Sequence, residues 1–206
     1  GHWDHYRDKM FIIGDENSPE AMALRPMTCP FQYQIYKNGL KSSRDFPCRY
    51  SETATEFRNE ASGEMHGLIR IRQFTLSDGH IVCTPEQVED EFKRCLDLSY
   101  YFLDCLGMRE DVTFITIQLD FAAAHSFDMT YIDENGEKQY PFVIHRSSIG
   151  CYERTLAMLI EKYGGAFPFW ICPVQVKVLS LTDRTADYAK KVADELRLAG
   201  IRAEAD

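Results

Sequence analysis

The stretch that most constrains this chain is EFRNEASGEMHGLIRIRQFTLSDGH, residues 56 to 80. A run ending in Phe57-Arg58-x-Glu60 meets a loop of small residues. A second run then returns, with Leu68, Arg70 and Arg72 alternating against Ile69 and Ile71 and Phe74 beyond. So short a connection permits only antiparallel pairing, because parallel strands need a crossover of a dozen residues or more. Two such strands with arginines on one face can grip a polyphosphate: guanidinium forks bind oxygens in pairs, and an aromatic ring offers a stacking surface. The same alternation also suits an exposed hairpin with charges on its solvent face. These residues alone leave both readings open.

The flanking sequence supplies helices. In TPEQVEDEFKRCLDLSYYFLDCLG, Thr84 is a good N-cap, Pro85 suits the first turn and Gln87 completes a capping box. Val88, Phe92, Leu96, Ser99 and Leu103 follow at helical spacing until Gly107. Further helices are expected from Pro30 to Asn38-Gly39, and from Gly150 to Lys162 with Leu156, Leu159 and Ile160 on the apolar side. Another follows Thr182-Asp183, carries Tyr188, Val192 and Leu196, and ends at Gly200. MTYIDENGEKQYPFVIH reads as a hairpin turning at Asn135-Gly136. Hairpin strands with helices beside them predict an α+β fold built on an antiparallel sheet. After Pro168 the β-rich run WICPVQVKVLSLTD, a helix and IRAEA predict a β-α-β unit with parallel strands. A domain boundary is therefore expected near residues 165 to 171, dividing the chain into 1–167 and 168–206.

Composition excludes whole classes. No apolar run approaches the roughly 18 residues of a membrane span, so no membrane partner is expected. The opening GHWDHYRDKM is polar, without the pattern of a signal peptide, and residue 1 is not expected to be a natural start. Seven cysteines without regular spacing read as reduced thiols in a cytoplasmic protein. A net charge of −9 argues against wrapping nucleic acid over the whole surface while permitting a local basic patch.

The 56–80 hairpin resembles motif 2 of the class II aminoacyl-tRNA synthetases, and HRSSIGCYERTLAMLI (145–160) resembles their motif 3 through Glu153-Arg154. GHWDHYRDKMF, LRPMTCP, HIVCT, IQLDF and VIHR, in order, are similar to the threonyl-tRNA synthetase family. The resemblance implies a class II antiparallel sheet flanked by helices, followed by a partial α/β anticodon-binding domain. It implies threonine–tRNA ligase activity: threonine and ATP give threonyl-adenylate, which is transferred to tRNA(Thr). By position, Arg58 would hold the α-phosphate and Glu60 would read the adenine amino group. Phe74 would stack on the adenine ring, and Arg70 and Arg154 would hold the outer phosphates. Cys29, His80 and His145 match zinc ligands, although taken singly Cys29 reads as a buried thiol and each histidine as a satisfied polar residue. Asp78 and Gln118 match residues that bind the substrate amino group and line its pocket, and His2 matches a histidine of the transfer step. Zn²⁺, ATP and Mg²⁺ are the implied cofactors, and a homodimer is implied for the intact protein.

Several family features are missing from the chain: motif 1, an editing domain, the rest of the anticodon-binding domain and a long segment near 114/115. Phe31-Gln32 stands where Gly-His is usual, and Glu56-Phe57 where Cys-His often precedes the motif 2 arginine. The missing segment bears on VTFITIQLDF, residues 112 to 121, whose apolar positions change from even (Val112, Phe114) to odd (Ile115, Ile117, Leu119). A buried strand face demands one parity, so a junction of two strands is expected between Phe114 and Ile115, with Gln118 in the site. An adenylating enzyme with another acceptor, or a non-catalytic module, are the alternative functions.

Overall fold

The computed structural model describes residues 3, 6–109 and 115–206, apart from the side chain of Ser148. The chain divides into two compact units, 1–158 and 159–206. The division falls inside a helix.

In the first unit, β1 (Ile12–Ile13) and β2 (Met22–Ala23) form a small antiparallel ribbon, followed by helix α1 (Cys29–Lys37). Two long strands, β3 (Cys48–Phe57) and β4 (Gln73–Cys83), then pair antiparallel along their length. Helix α2 (Val88–Cys105) follows, entered through a tight turn at Pro85–Gln87. There the Thr84 amide donates to Gln87 Oε1 at 3.2 Å, as the capping box predicts. At its end the Gly107 amide bonds Asp104 O and the Met108 amide bonds Leu103 O, a Schellman closure that Gly107 permits at φ 66°.

Strand β5 (Ile117–Asp120), the short helix α3 (Ala123–Ser126) and the ribbon β6 (Tyr131–Ile132) and β7 (Lys138–Gln139) come next. Strand β8 (Phe142–Cys151) runs directly into helix α4 (Tyr152–Tyr163). The main sheet has the order β3-β4-β8-β5, all neighbours antiparallel. It is covered on both faces. Ile81, Cys83 and Ile144 pack with Cys95 of α2, joined by Val88, Phe92, Ile117 and Leu119. On the other face Val82 and Val143 pack with Tyr33 and Tyr36 of α1 and with Ala124 and Met129. The buried stripe of α2 therefore runs through Cys95, Ser99 and Leu103, with Leu96 displaced from the centre to the side.

Two expectations need correction. Residues 66–72 are no strand: the Ile69 and Arg70 amides both bond His66 O in a turn with Gly67 at φ 48°, and β4 begins only at Gln73. The apolar–charged alternation there lies in a compact loop. The hairpin at Asn135-Gly136 forms, but as a separate two-stranded ribbon, and the Tyr140-Pro141 step breaks it from β8. The expected junction between Phe114 and Ile115 lies outside the described residues. From Ile117 onward the odd positions Ile117 and Leu119 do pack with the α2 cluster.

In the second unit, β9 (Val176–Val178) pairs parallel with β10 (Ala203–Ala205), and helix α5 (Ala186–Leu198) connects them. The β-α-β unit is as expected, but the strand is much shorter than WICPVQVKVLSLTD. Residues 169–171 form a 3₁₀ turn, and Pro173 has no amide to donate. Helix α5 buries Ala189 and Ala193, while Tyr188, expected on the apolar side, is 70 % exposed. Small side chains let the helix lie close on so narrow a sheet.

Candidate functional site

Strand register assembles the site. His80 on β4 sits opposite His145 on β8, and Gln118 on β5 sits opposite His145 on its other side. Alternation then places Asp78, Leu76 and Phe74 on the same face of β4. Further along β8 the register slips: Asp78 pairs with Ser147, yet Ser77 pairs with Gly150. This bulge lets β8 keep His145 and Ser147 toward the site and still deliver α4 at the sheet's end. Helix α1 brings Thr28, Cys29 and Gln32 over the same face.

The ligand atoms of Cys29, Asp78, His80 and His145 all lie within 4.8 Å of one another. Cys29 Sγ is 3.6 Å from His145 Nδ1, which is 2.8 Å from His80 Nε2. A tetrahedral zinc would set sulfur and nitrogen about 3.6 Å apart and two nitrogens about 3.4 Å apart. The first spacing is already met, and the second requires the imidazoles to part by about half an ångström. His80 Nδ1 faces Gln32 Oε1 at 2.8 Å. With the amide oxygen accepting, the Nε2 lone pair faces His145 Nδ1, the arrangement by which outer groups orient metal-binding histidines. Asp78 is gripped by Thr28, whose hydroxyl donates to Oδ2 at 2.6 Å. Its Oδ1 lies 3.3 Å from His145 Nε2, in ion-pair range but without hydrogen-bond geometry, and is left without a hydrogen-bond partner.

Burial sets the protonation of this cluster. It pushes the Cys29 thiol up to about 12, reinforced by the Asp78 charge, and pulls fully buried His80 down to about 3, helped by His145. Burial also raises Asp78 against the opposing pull of His145 and the Thr28 hydrogen bond. A neutral imidazole beside a thiol and an orphaned carboxylate oxygen is a donor set that a soft divalent cation would complete. The residues therefore fit zinc.

Two cavities open on this face. One, about 290 Å³, is lined by Arg58, Glu60, Arg70, Phe74 and Arg154 among others. The other, about 210 Å³, is lined by Cys29, Tyr33, Glu56, Asp78 and Asp120 among others. Arg58, Leu76, Gln118 and His145 line both. The first is a cationic lobe and the second an anionic one, sharing a wall. Ile69, Arg70 and Ile71 all line the first lobe, as a curled loop allows and a strand does not.

Each cation has its anchor. Arg58 donates through Nε to Pro26 O at 3.0 Å, and its guanidinium lies 5.0 Å from the Phe74 ring centroid. Phe74, expected to stack on adenine, is buried and already carries Arg58 on its ring. Arg154 donates to Ile69 O at 3.1 Å. The preceding Glu153 accepts the Thr75 amide on both carboxylate oxygens, at 3.0 and 2.9 Å, pinning the start of α4 to β4. Glu60 is 3.5 Å from Lys9 Nζ.

Of the residues singled out from sequence, all but His2 are thus brought to one face, and His2 lies outside the described residues. Thr28, Gln32 and Glu56 were missed as site residues. For the first two a signal existed, since Thr28, Cys29 and Gln32 share the side of α1 that carries the buried residues Tyr33 and Tyr36.

Comparison with known proteins places this geometry. The tRNA synthetase class II core domain (G, H, P, S and T) matches residues 10–116. The chain belongs to that family of class II aminoacyl-tRNA synthetases. Over its whole length it is 50 % identical to a threonine–tRNA ligase of Clostridium perfringens (strain SM101 / Type A), of which it covers 42 %. It is 49 % identical, over the same share, to a threonine–tRNA ligase of Clostridium botulinum (strain Eklund 17B / Type B). The chain thus spans less than half the length of these relatives. The alignments run over 273 residues against 206 here, so the relatives carry internal sequence where this chain has none. Among solved structures, the RNA binding domain of threonyl-tRNA synthetase from Cryptosporidium parvum Iowa II superposes with a TM-score of 0.88 at 29 % identity. That match covers 100 % of this chain and 66 % of that one. A Giardia lamblia prolyl-tRNA synthetase in complex with prolyl-adenylate shares the fold, with a TM-score of 0.72 at 19 % identity over 100 % of this chain and 50 % of its own.

Proposed function

We propose that this chain carries the amino-acid-activating site of a threonine–tRNA ligase. The observation that supports it most is the pairing of lobes: an arginine-lined cleft shares a wall with a Cys-His-His cluster in a chain 50 % identical to such ligases throughout. Arg58 holds the α-phosphate of ATP, and Arg70 and Arg154 hold the outer phosphates, with Mg²⁺ as their counter-charge. Glu60 and Phe74 receive the adenine. Threonine lies in the anionic lobe, its ammonium toward Asp78 and its side chain beside Gln118.

The threonine carboxylate attacks the α-phosphorus, the bond to the bridging oxygen breaks and pyrophosphate leaves. Little covalent chemistry falls to the protein. Its task is alignment and charge neutralisation, which accounts for three arginines and no general base. Zn²⁺ on Cys29, His80 and His145 would supply coordination for the threonine hydroxyl and amino group, which valine, lacking that hydroxyl, cannot match. The acceptor is tRNA(Thr), with His2 serving the transfer step. Residues 168–206 begin an anticodon-binding domain, residues 1–167 form the catalytic core, and the intact protein is a cytoplasmic homodimer.

The test is threonine-dependent ATP–pyrophosphate exchange together with zinc content. Arg58→Ala is expected to lower exchange at least about a hundredfold with the fold retained, the scale of losing one preorganised charge stabiliser. Survival within a few-fold would refute the assignment of Arg58. A zinc-loaded protein that activates threonine but charges only a non-tRNA acceptor would favour the adenylating alternative. One that binds no adenylate analogue would favour a non-catalytic module.

A further inference from the structure

We propose that Glu56 is a positioning residue for Arg58, holding the guanidinium so that its remaining N–H groups face the cationic lobe. This rests on the reading of that lobe as an ATP site. Glu56 sits on β3 opposite Phe74 of β4, two residues before Arg58 and on the same face. Its side chain is fully buried. Its Oε2 lies 3.4 Å from Arg58 Nη2, while Oε1 has no hydrogen-bond partner.

A half-satisfied carboxyl in the interior costs stability, because desolvation is offset by one long contact alone. An apolar side chain would serve the core better at this position. What the carboxylate does accomplish is geometric. Pro26 O takes Nε, the Phe74 ring takes one face of the guanidinium, and Glu56 takes one edge of Nη2. A planar fork held at three points has no torsional freedom left, so the Nη1 hydrogens have a fixed direction.

The surrounding charges agree with this role. Burial pushes the Glu56 carboxyl up to about 7, and Arg58 is the strongest influence holding it down. Arg25 acts in the same sense, while Asp78 and Glu52 oppose. The arginine is thus the chief reason for this side chain to carry charge here.

The experiment uses the full chain and three substitutions: Glu56→Leu, which keeps the volume, Glu56→Gln, which keeps an acceptor oxygen, and Arg58→Ala as background. ATP affinity is titrated directly, and KM values for ATP and threonine are read from pyrophosphate exchange. E56L is expected to weaken ATP about tenfold, the scale of one charge-assisted hydrogen bond. Its melting temperature should not fall, since the buried carboxyl it removes is only half satisfied. E56Q should lie within about threefold of wild type, because an amide oxygen still accepts from Nη2. In the R58A background E56L should add less than about twofold, since a residue acting through another has nothing left to act on. An E56L protein that binds ATP as tightly as wild type, or a full E56L penalty in the R58A background, overturns the role of Glu56. A folded wild-type chain that does not bind ATP overturns instead the ATP reading on which it rests.

Discussion

Loading zinc into the Cys29/His80/His145 cluster must displace the proton that Cys29 carries. A thiolate binds the metal, but burial and Asp78 push the Cys29 thiol up to about 12, so the apo protein carries the proton there at any ordinary pH. His80, pulled down to about 3, is already neutral and contributes none. Between pH 7.5 and 9, binding should release the proton held by Cys29. The sign follows directly: raising pH removes the competing proton, so affinity rises with pH. The slope should be about tenfold per pH unit, or roughly thirtyfold across the window, with no plateau because the thiol titrates above it. The assay is competition with a chromophoric chelator at a series of pH values, with parallel measurements on Cys29→Ser. The serine variant should bind more weakly and lose the slope, since its hydroxyl is a poor ligand with no accessible titration. A pH-independent wild-type affinity, or a serine variant with the same slope, would refute the assignment of Cys29.

Three further outcomes follow from the surrounding contacts. Gln32→Leu removes the acceptor that orients His80 Nδ1 at 2.8 Å and should weaken zinc by about ten- to a hundredfold in the same competition assay. Gly79→Ala would place a Cβ 2.9 Å from the Tyr50 carbonyl oxygen on β3. That backbone atom cannot swing aside, so urea unfolding should show a loss of about 1–3 kcal/mol. On the opposite face of the sheet, nearly buried Glu91 accepts Arg49 Nε and Nη2 at 2.8 and 2.6 Å. Glu91→Gln should cost about 1–2 kcal/mol by urea unfolding, because Arg49 is half exposed and partly rehydrated when its partner is lost, and should leave zinc affinity unchanged.

Local chemistry was legible from sequence and distant chemistry was not. Thr84, Gln87 and Gly107 mark the bounds of α2 because caps and closures are made by neighbours in sequence. Asn135-Gly136 marks a turn for the same reason. The loop at 66–72 misled because its alternation of Ile and Arg is what a strand would show. A curled segment that half-buries isoleucines beside an arginine-lined cleft leaves the same trace. Nothing local links Cys29, His80 and His145. Their meeting depends on the pairing of His80 with His145 across β4 and β8, and register between strands far apart in sequence is written in no short pattern. Resemblance to a family brought those three together where periodicity could not. Glu56 escaped both routes: a glutamate among alternating strand residues reads as a solvent-facing charge, and only the cover supplied by neighbouring elements makes it an interior one.

The wall between the two lobes has a thermodynamic consequence. Arg58, Leu76, Gln118 and His145 face both spaces, so a ligand on one side alters the side chains that the second must meet. The two binding free energies are therefore not independent. If a nucleotide in the cationic lobe tightens the grip on an amino acid in the anionic one, the amino acid must tighten the grip on the nucleotide by the same factor. A substitution at Leu76, which carries no charge and lines both lobes, is accordingly a way to change that shared factor.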